Sequence, residues 1–320
     1  MNAQDRFYSR KWGVFNHYLY SLQNDPTRPN SYGKETDWDT LVNEFDTEHL
    51  AKTLHEMGAG YYFITVQQGN KYMIAPNATF DRIAGTKPGE ACSTRDLIED
   101  LYNSLSKYDI DLFLYFTGDG PYRSSPENER FGFKEPRTDG VTRPFVEKWA
   151  SVLEDYSIRY GDKVKGWWID GCFDETDPHK EILYTQELLD ILYCACKAGN
   201  PDCLTAFNKG VRDTLMVHYH DEEFTAGEQN NFDLIPTGRF YGKAQAHILA
   251  PLGISWYEKK QIWRHGWGCL GEQRSKEYLA DYLQKVRAAG GVVTFDIAVY
   301  RDGKFEPKQQ EIVAYAGKFV

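Results

Sequence analysis

The segment Lys165–Gly171 reads KGWWIDG, an apolar and aromatic run that ends in an acid followed by a glycine. Such a run is typical of a buried strand, and the acid, Asp170, would lie at its carboxyl end. The glycine allows a sharp turn, while Trp167 and Trp168 point to opposite faces because side chains alternate along a strand. An aspartate that only caps the next turn is the structural alternative. The chemical alternative is a carboxylate presented to a ligand.

Glycoside hydrolysis is a reaction that needs such a carboxylate and a second one beside it. One carboxyl group attacks or stabilises the anomeric centre and the other protonates the leaving oxygen, and in retaining enzymes the two stand roughly 5–5.5 Å apart. Glu228, in the segment Phe224–Gln229, is the first candidate for the second acid. Glu258, in the segment Ser255–Glu258, is the alternative acid/base. Either acid is far from Asp170 in the sequence, so the fold must bring the pair together.

Short β-rich runs alternate with amphipathic helical patterns along almost the whole chain. The predicted strands are Gly13–Leu19, Tyr61–Val66, Asp111–Phe116, Gly166–Ile169, Leu204–Phe207, Glu223–Thr225, Ala246–Leu249 and Gly291–Ile297. The predicted helices are Thr47–Met57, Thr94–Lys107, Pro144–Tyr160, Lys180–Lys197, Lys276–Ala289 and Lys308–Lys318. This order predicts the α/β class and one (β/α)8 TIM-type barrel over residues 1–320 as a single catalytic domain. No helix is evident beside the sixth strand, so the irregular part is expected around strands 5–7.

Residues at the ends of the predicted helices support these boundaries. The expected N-caps are Asp46 or Thr47, Ser93 and Ser275, and the glycines expected to end helices in the left-handed conformation are Gly58, Gly199 and Gly290. A doubly wound nucleotide-binding fold is disfavoured, because the sequence after Phe15 reads NHYLYSLQND and has no glycine-rich phosphate turn.

In a barrel of this type the active site lies at the carboxyl ends of the strands. The polar or aromatic residues that follow the predicted strands are therefore the candidates: Asn16, His17, Gln67, Gln68, Thr117, Asp119, Asp170, Asn208, Lys209, Glu228, Trp256, Glu258 and Asp296.

Composition narrows the class of ligand. A net charge of −10 argues against nucleic acid as a partner, since phosphate contacts need clustered Lys and Arg. No run of about 18 apolar residues exists, so no membrane span is expected. Aromatic residues make up 15% of the chain, with 22 Tyr and 8 Trp, and aromatic faces can stack on the C–H face of a sugar ring. A carbohydrate is the expected partner.

Metal and cofactor sites are not expected. The six cysteines show no paired metal spacing, and His218 and His220 could share a zinc ion only with a third ligand that is not apparent. The first residues, MNAQDRFYSRKWG, contain no apolar leader, which indicates a cytoplasmic protein, or a periplasmic or secreted one whose signal peptide has been removed.

Four segments occur in the same order in glycoside hydrolase family 29, the α-L-fucosidases. Trp12–His17 resembles the opening strand of that family, which ends in a sugar-contacting histidine, and Trp168–Gly171 is similar to its nucleophile strand. Asp221–Glu228 resembles the segment that bears the acid/base in some members, and Gly290–Gln310 follows its last strand and helix. The resemblance implies that Asp170 is the nucleophile, Glu228 the acid/base and His17 a contact to a sugar hydroxyl.

The chain also departs from the family pattern. Gln67 and Gln68 stand where fucosidases carry a His-His pair, and a Glu-Trp pair is missing from the first long loop, in the region Tyr32–Trp38. Lys209 follows Asn208 where the family has an arginine. The family's C-terminal β-sandwich is also expected to be absent. These departures affect residues that recognise fucose, so they predict a different sugar.

The resulting hypothesis is a retaining, exo-acting glycoside hydrolase whose substrate is a glycoside other than a simple α-L-fucoside. A barrel that carries out elimination or transglycosylation on sugars, and a catalytically silent carbohydrate-binding protein, are the alternatives. Besides the three acids, the residues expected to bind substrate are His17, Gln67, Gln68, Tyr115, Asp119, Trp168, Asn208 and Trp256.

Overall fold

The computed structural model describes residues 1–28, 34–132, 141–174 and 183–320. Tyr32, in the first long loop, and Lys180, the predicted start of a helix, lie outside these residues. The strands are β1 Trp12–Asn16, β2 Tyr61–Thr65, β3 Asp111–Thr117, β4 Val164–Asp170, β5 Leu204–Phe207, β6 Phe240–Tyr241, β7 Ala244–Gln245, β8 His247–Pro251, β9 Ile254–Tyr257, β10 Ile262–His265 and β11 Val292–Asp296.

The helices lie mostly between these strands. They are α1 Ala3–Ser9, α2 Tyr20–Gln23, α3 Trp38–Asn43, α4 Thr47–Met57, α5 Ala78–Ala84, α6 Leu97–Leu105, α7 Glu127–Phe131, α8 Arg143–Tyr160, α9 Gln186–Lys197, α10 Lys276–Ala288 and α11 Pro307–Gly317. Three short 3-10 helices occupy Ser106–Tyr108, Gly161–Lys163 and Glu258–Lys260. Among the described residues, no helix combines the length and the apolar character that crossing a bilayer requires.

Seven strands form one parallel sheet in the order β5-β4-β3-β2-β1-β11-β8. The predicted α/β class with a parallel sheet is therefore confirmed. Every strand of the sheet contributes to one inner cluster of buried side chains, from Leu204 on one edge strand to Leu249 on the other. A flat sheet of this width would hold its edges too far apart to share a cluster, because neighbouring strands are about 4.8 Å apart. The sheet therefore curls, as in a (β/α)8-like fold, and a larger apolar cluster lies between it and the helices.

The segment 223–229 lies between the two edge strands. Glu223 N donates to Thr205 O of β5 at 3.0 Å, and Gln229 N donates to Leu249 O of β8 at 2.9 Å. The sixth predicted strand is thus an extended segment with only isolated bridges to its neighbours. Gly227 explains the interruption, because its φ is +61° and a Cβ there would lie 1.8 Å from the backbone of β8. Residues 208–243, all within the described ranges, contain no α-helix.

Most predicted helix ends agree with the structure. Asp46 and Ser275 cap α4 and α10, and Gly58 and Gly290 have the expected positive φ. The cap of α6 is a correction, because Asp96 rather than Ser93 accepts from the first turn. Gly199 is another, since it does not have a positive φ and is instead packed where a Cβ would lie 1.8 Å from Ser157 O.

Several elements were not predicted, and two additions among them shape the ends of the sheet. Helix α1 covers the amino ends of the strands, where Phe7 is 1% exposed and packs on Tyr61 and Phe113 with ring centroids 4.9 and 5.1 Å apart. The antiparallel hairpin β9–β10 extends from the opposite, carboxyl end, directly after β8. One addition therefore closes the base of the sheet, and the other enlarges the face on which a site is expected.

Candidate active site

A cavity of about 190 Å³ opens at the carboxyl ends of the strands. Six of the predicted site residues line it: His17, Gln68, Tyr115, Trp168, Asp170 and Glu228. They follow or end the strands β1 to β4 and the segment 223–229, so the curl of the sheet brings together side chains that are distant in sequence. The lining combines carboxylates, amide, imidazole and aromatic groups, which suits a ligand rich in hydroxyl groups.

Asn208 joins the two predicted catalytic acids. It follows β5 directly, and its backbone N–H donates to Ile169 O at 2.7 Å, which ties it to the strand that ends in Asp170. Its side-chain Nδ2 donates to Asp170 Oδ1 at 2.8 Å and to Glu228 Oε2 at 2.6 Å. Because one nitrogen bonds to both oxygens, the distance between Asp170 Oδ1 and Glu228 Oε2 cannot exceed the sum of these two hydrogen-bond lengths.

Tyr115 holds the other oxygen of the same aspartate. Its hydroxyl donates to Asp170 Oδ2 at 2.5 Å and accepts from Gln68 Nε2 at 2.8 Å. Burial, together with the charge of Asp170, raises the pKa of Tyr115 well above its ordinary value of 10.0, so the phenol remains a donor. Its ring stacks on Trp168, with centroids 5.3 Å apart and planes 19° from parallel. The Asp170 carboxylate is thus oriented by two neutral donors.

His17 is oriented by a buried carboxylate. Its Nδ1 lies 2.9 Å from Asp296 Oδ1, and Gly268 N donates to Asp296 Oδ2 at 2.6 Å. An ionised carboxylate only accepts hydrogen bonds, so the imidazole carries its proton on Nδ1 and leaves Nε2 for a ligand. The imidazole ring also lies beside Phe15 and Trp267, with ring centroids 4.5 and 5.7 Å away.

Two tryptophans form apolar walls of the cavity. Trp168 is fixed by its Nε1, which donates to Ala226 O at 2.9 Å. Trp267 approaches His17 with ring centroids 5.7 Å apart. Aromatic walls with few converging polar groups are typical of small-molecule sites, and they also suit the C–H faces of a sugar.

Four predicted site residues do not reach this cavity. Gln67 is fully buried, and its amide bonds to Asn70 O, Gly120 O and Thr117 Oγ1, so no polar atom of it remains for substrate. Asp119 is 4% exposed and packs behind the site against Gly171. Trp256 and Glu258 lie on the hairpin β9–β10 and its connection, away from Asp170. Glu228 therefore lies beside Asp170, and Glu258 does not.

Sequence reasoning gave no role to two residues that shape the site. Asp296 stood among the polar residues after strands, but its partnership with His17 depends on the pairing of β1 with β11, at opposite ends of the chain. Trp267 follows an unpredicted hairpin, so its position could not be inferred, although a tryptophan between glycines in the sequence HGWG was a usable signal.

His218 and His220, the two histidines considered as zinc ligands, have different hydrogen-bond partners. His218 Nε2 lies 2.7 Å from Cys172 O, and burial lowers the pKa of His218 to about 4. His220 is exposed and lies beside Gln186. In the described part of the chain, no three His, Cys, Asp or Glu side chains are placed to share a metal ion.

Comparisons with known proteins identify a family. The model of a family described as alpha-L-fucosidase matches residues 2–320, which confirms the resemblance indicated by the motifs. No curated protein sequence gives a significant match.

Solved structures share the fold. An endo-fucoidan hydrolase from glycoside hydrolase family 107 has a TM-score of 0.69 at 12% identity, covering 99% of this chain and 54% of that one. A bacterial fucosidase with a triazole inhibitor has a TM-score of 0.65 at 16% identity, covering 99% and 72%. An alpha-L-fucosidase from Bacteroides thetaiotaomicron has a TM-score of 0.64 at 16% identity, covering 99% and 73%. The chain spans between 54% and 64% of the length of the first fucoidan hydrolases it matches.

Proposed function

The chain belongs to the α-L-fucosidase family, and from this we propose that it is a retaining, exo-acting glycoside hydrolase. The observation that carries the proposal is the single Nδ2 of Asn208 within hydrogen-bond distance of both Asp170 and Glu228. Retaining enzymes hold their carboxyl groups about 5–5.5 Å apart, and inverting enzymes about 6.5–9.5 Å apart. The contacts of one nitrogen keep the nearest oxygens of the pair within the shorter range, which supports a retaining mechanism.

The reaction then has two steps, and each acid takes part in both. Asp170 attacks the anomeric carbon as the bond to the leaving oxygen breaks, and Glu228 gives that oxygen its proton. Glu228 next takes a proton from water, whose oxygen forms a bond to the anomeric carbon and displaces the Asp170 oxygen. Tyr115 and Asn208 hold the attacking carboxylate in one orientation, which lowers the entropy cost of reaching the transition state.

The position of Glu228 depends on barrel closure. We take the segment 223–229 as the sixth strand of a closed (β/α)8-type barrel, because it bonds to β5 on one side and β8 on the other. The kink at Gly227 immediately precedes the acid. This closure brings Glu228 across the cavity from Asp170.

The size of the cavity supports exo-action. At about 190 Å³ it is below the roughly 300–1,000 Å³ of pockets that enclose drug-sized ligands, so it suits one terminal sugar ring.

The sugar is expected to differ from simple α-L-fucosides. Gln68 stands where the family places an imidazole, and its Nε2 is engaged by Tyr115. Its Oε1, for which the described residues provide no donor, is left to accept from a sugar hydroxyl. A site built around a different donor and acceptor pattern leaves polar groups of fucose unpaired, at a cost of about 1–3 kcal/mol each. Fucosidases and fucoidan hydrolases share the fold, so other deoxyhexosides are the first class to test.

The test is a panel of aryl glycosides that includes both anomers of several pentoses and deoxyhexoses. We expect cleavage of at least one with retention of anomeric configuration, followed by NMR, and kcat/KM on aryl α-L-fucoside below about 10⁴ M⁻¹s⁻¹. A higher value on the fucoside would make the protein a plain fucosidase. An inverted product would exclude the retaining mechanism, and an unsaturated product would indicate an elimination. If no glycoside of the panel is cleaved, hydrolysis of these sugars is excluded and a carbohydrate-binding role becomes the alternative to test.

A further inference from the structure

A second cavity, of about 530 Å³, lies beside the catalytic one. Its lining includes Leu22, Ile254, Trp256, Trp263, Cys269 and Leu270. We propose that this cavity binds the leaving-group sugars of an oligosaccharide whose terminal sugar occupies the catalytic cavity. The inference rests on the proposed function, and it makes the substrate class an oligosaccharide rather than a small glycoside.

The two cavities are contiguous. Leu22 lines both of them, and the loop after β10 supplies Trp267 to the catalytic cavity and Leu270 to the second. Gly268 of the same loop packs closely on Leu22 and His17, since a Cβ there would lie 2.8 Å from Leu22 Cδ1 and 2.9 Å from His17 Cβ. We therefore place the path of a saccharide that extends from the catalytic cavity over Leu22, the residue that lines both cavities.

Two exposed tryptophans mark the second cavity as a binding surface. Trp256 and Trp263 are cross-strand partners in β9–β10, with ring centroids 5.5 Å apart. They are 42% and 63% exposed, although burying such side chains would stabilise the fold. Paired exposed aromatic residues usually belong to an interaction site. Their faces suit the C–H faces of successive sugar rings.

The hairpin holds these rings in place before any ligand arrives. Trp256 Nε1 donates to Glu258 Oε2 at 3.0 Å, which gives this glutamate a positioning role away from the catalytic acids. At its base, Ile254 N donates to Leu270 O at 3.0 Å and Gly266 N to Gly253 O at 2.9 Å. A preorganised surface binds more tightly because less entropy is lost on binding.

A saccharide fits this surface better than a second copy of the chain. The hairpin also carries Lys259, Lys260 and Arg264, and all three are exposed. A twofold contact would bring the same patch of both copies together, and its three cations exceed its one acid, Glu258, so the net positive charge would repel across the interface. A neutral sugar meets no such repulsion. Because an exo-acting enzyme holds the terminal sugar in the catalytic cavity, the occupant of the second cavity belongs to the leaving group.

The experiment compares two substrates with the same terminal sugar, chosen from the aryl glycoside panel. One is the glycosyl fluoride, which has no leaving-group sugar, and the other is a trisaccharide. We expect Trp256→Ala and Trp263→Ala each to lower kcat/KM about tenfold on the trisaccharide and to leave hydrolysis of the fluoride unchanged. Phe240→Ala, which removes an aromatic side chain that is 48% exposed and lines neither cavity, is the matched control and should change neither rate.

The other outcomes overturn the inference. Equal losses on both substrates would mean that the tryptophans support the catalytic cavity, and no loss on the trisaccharide would mean that the second cavity binds no sugar. A dimeric wild type that the Trp256→Ala/Trp263→Ala double variant converts to a monomer, measured by light scattering, would assign the surface to a second copy.

A binding measurement separates this inference from the proposed function. If the wild type cleaves no glycoside, native gels containing fucoidan or xyloglucan still test the second cavity. If a polysaccharide slows the wild type but not the double variant, the second cavity binds sugar even though the proposed hydrolysis has failed. If neither polysaccharide slows the wild type, sugar binding at the second cavity is excluded.

Discussion

The two ends of the parallel sheet each hold a carboxylate whose two oxygens are hydrogen-bonded, but in opposite electrostatic surroundings. Asp111 begins β3 at the amino end, where Arg6 and Arg10 of the α1 region both donate to its oxygens. Asp170 ends β4 at the carboxyl end, where the donors to its oxygens are the neutral Tyr115 and Asn208. Guanidinium groups neutralise the first carboxylate, whereas a phenol and an amide orient the second without supplying a positive charge.

This difference predicts that the carboxylate at the amino end of the sheet contributes to stability and the one at the carboxyl end to catalysis. A carboxylate paired with two arginines is satisfied and shielded, and it ties α1 to the base of the strands. A nucleophile is better held by neutral donors, because a guanidinium charge would stabilise the carboxylate and so oppose its attack on the anomeric carbon. The aromatic inner cluster, with Phe7 near one end and Tyr115 near the other, lies between them. Mutations at the two ends should therefore affect different measurable quantities.

The largest expected effect is on catalysis at the carboxyl end. Asp170→Asn should lower kcat by about 10⁴-fold or more, which corresponds to about 5 kcal/mol of transition-state stabilisation, with little change in unfolding free energy. The matched variant Asp111→Asn should leave kcat unchanged and lower stability by about 1–3 kcal/mol, since charge-assisted hydrogen bonds are lost. Steady-state kinetics and urea unfolding of both variants measure the contrast. Near-wild-type turnover by Asp170→Asn would remove its assignment as nucleophile.

The next effect is on stability at the amino end. Phe7→Ala should lower the free energy of unfolding by about 3–5 kcal/mol, because the ring is buried among the aromatic side chains of the inner cluster. The exposed Phe240→Ala should change it by no more than about 0.5 kcal/mol. Urea unfolding gives both values. Where Phe7→Ala is still folded, its kcat should match the wild type, and a large loss would show that the two ends are coupled.

The same contrast explains which parts of the protein could be predicted. Strands β1 to β5, β8 and β11 are apolar runs, most of which alternate with helices, so their order along the chain and the position of Asp170 followed from the pattern. Helix α1 was missed because it is seven residues long and buries only Phe7, too little for a periodic signal. Its effect comes from where it packs, and local sequence does not contain that information.

Site residues outside regular strands were harder to predict. Strand β2 ends at Thr65, so alternation no longer decides which of Gln67 and Gln68 faces the cavity. Packing places Gln68 beside Tyr115 and turns Gln67 into the loop behind it. The partnership of His17 with Asp296 likewise depends on the pairing of the first and last strands of the sheet. Pairing between strands that are distant in sequence determines these contacts, and local sequence patterns do not contain that information.

The smallest of the three effects concerns the acid that completes the carboxyl end, and it depends on the substrate. Glu228→Ala should lower kcat/KM by about 10²–10³-fold on glycosides with poor leaving groups, because their oxygen must be protonated as the bond breaks. Activated aryl glycosides need little protonation and should be cleaved at nearly the wild-type rate in the first step. Azide should restore turnover, since it can attack the glycosyl-enzyme without a general base. Glu258→Ala is the control, because it removes the same carboxyl group from the exposed connection of the hairpin. It should behave like wild type on aryl glycosides. If Glu258→Ala instead shows the leaving-group dependence and the azide rescue, the acid/base reaches the cavity from the hairpin, and the carboxyl end of the sheet supplies only the nucleophile.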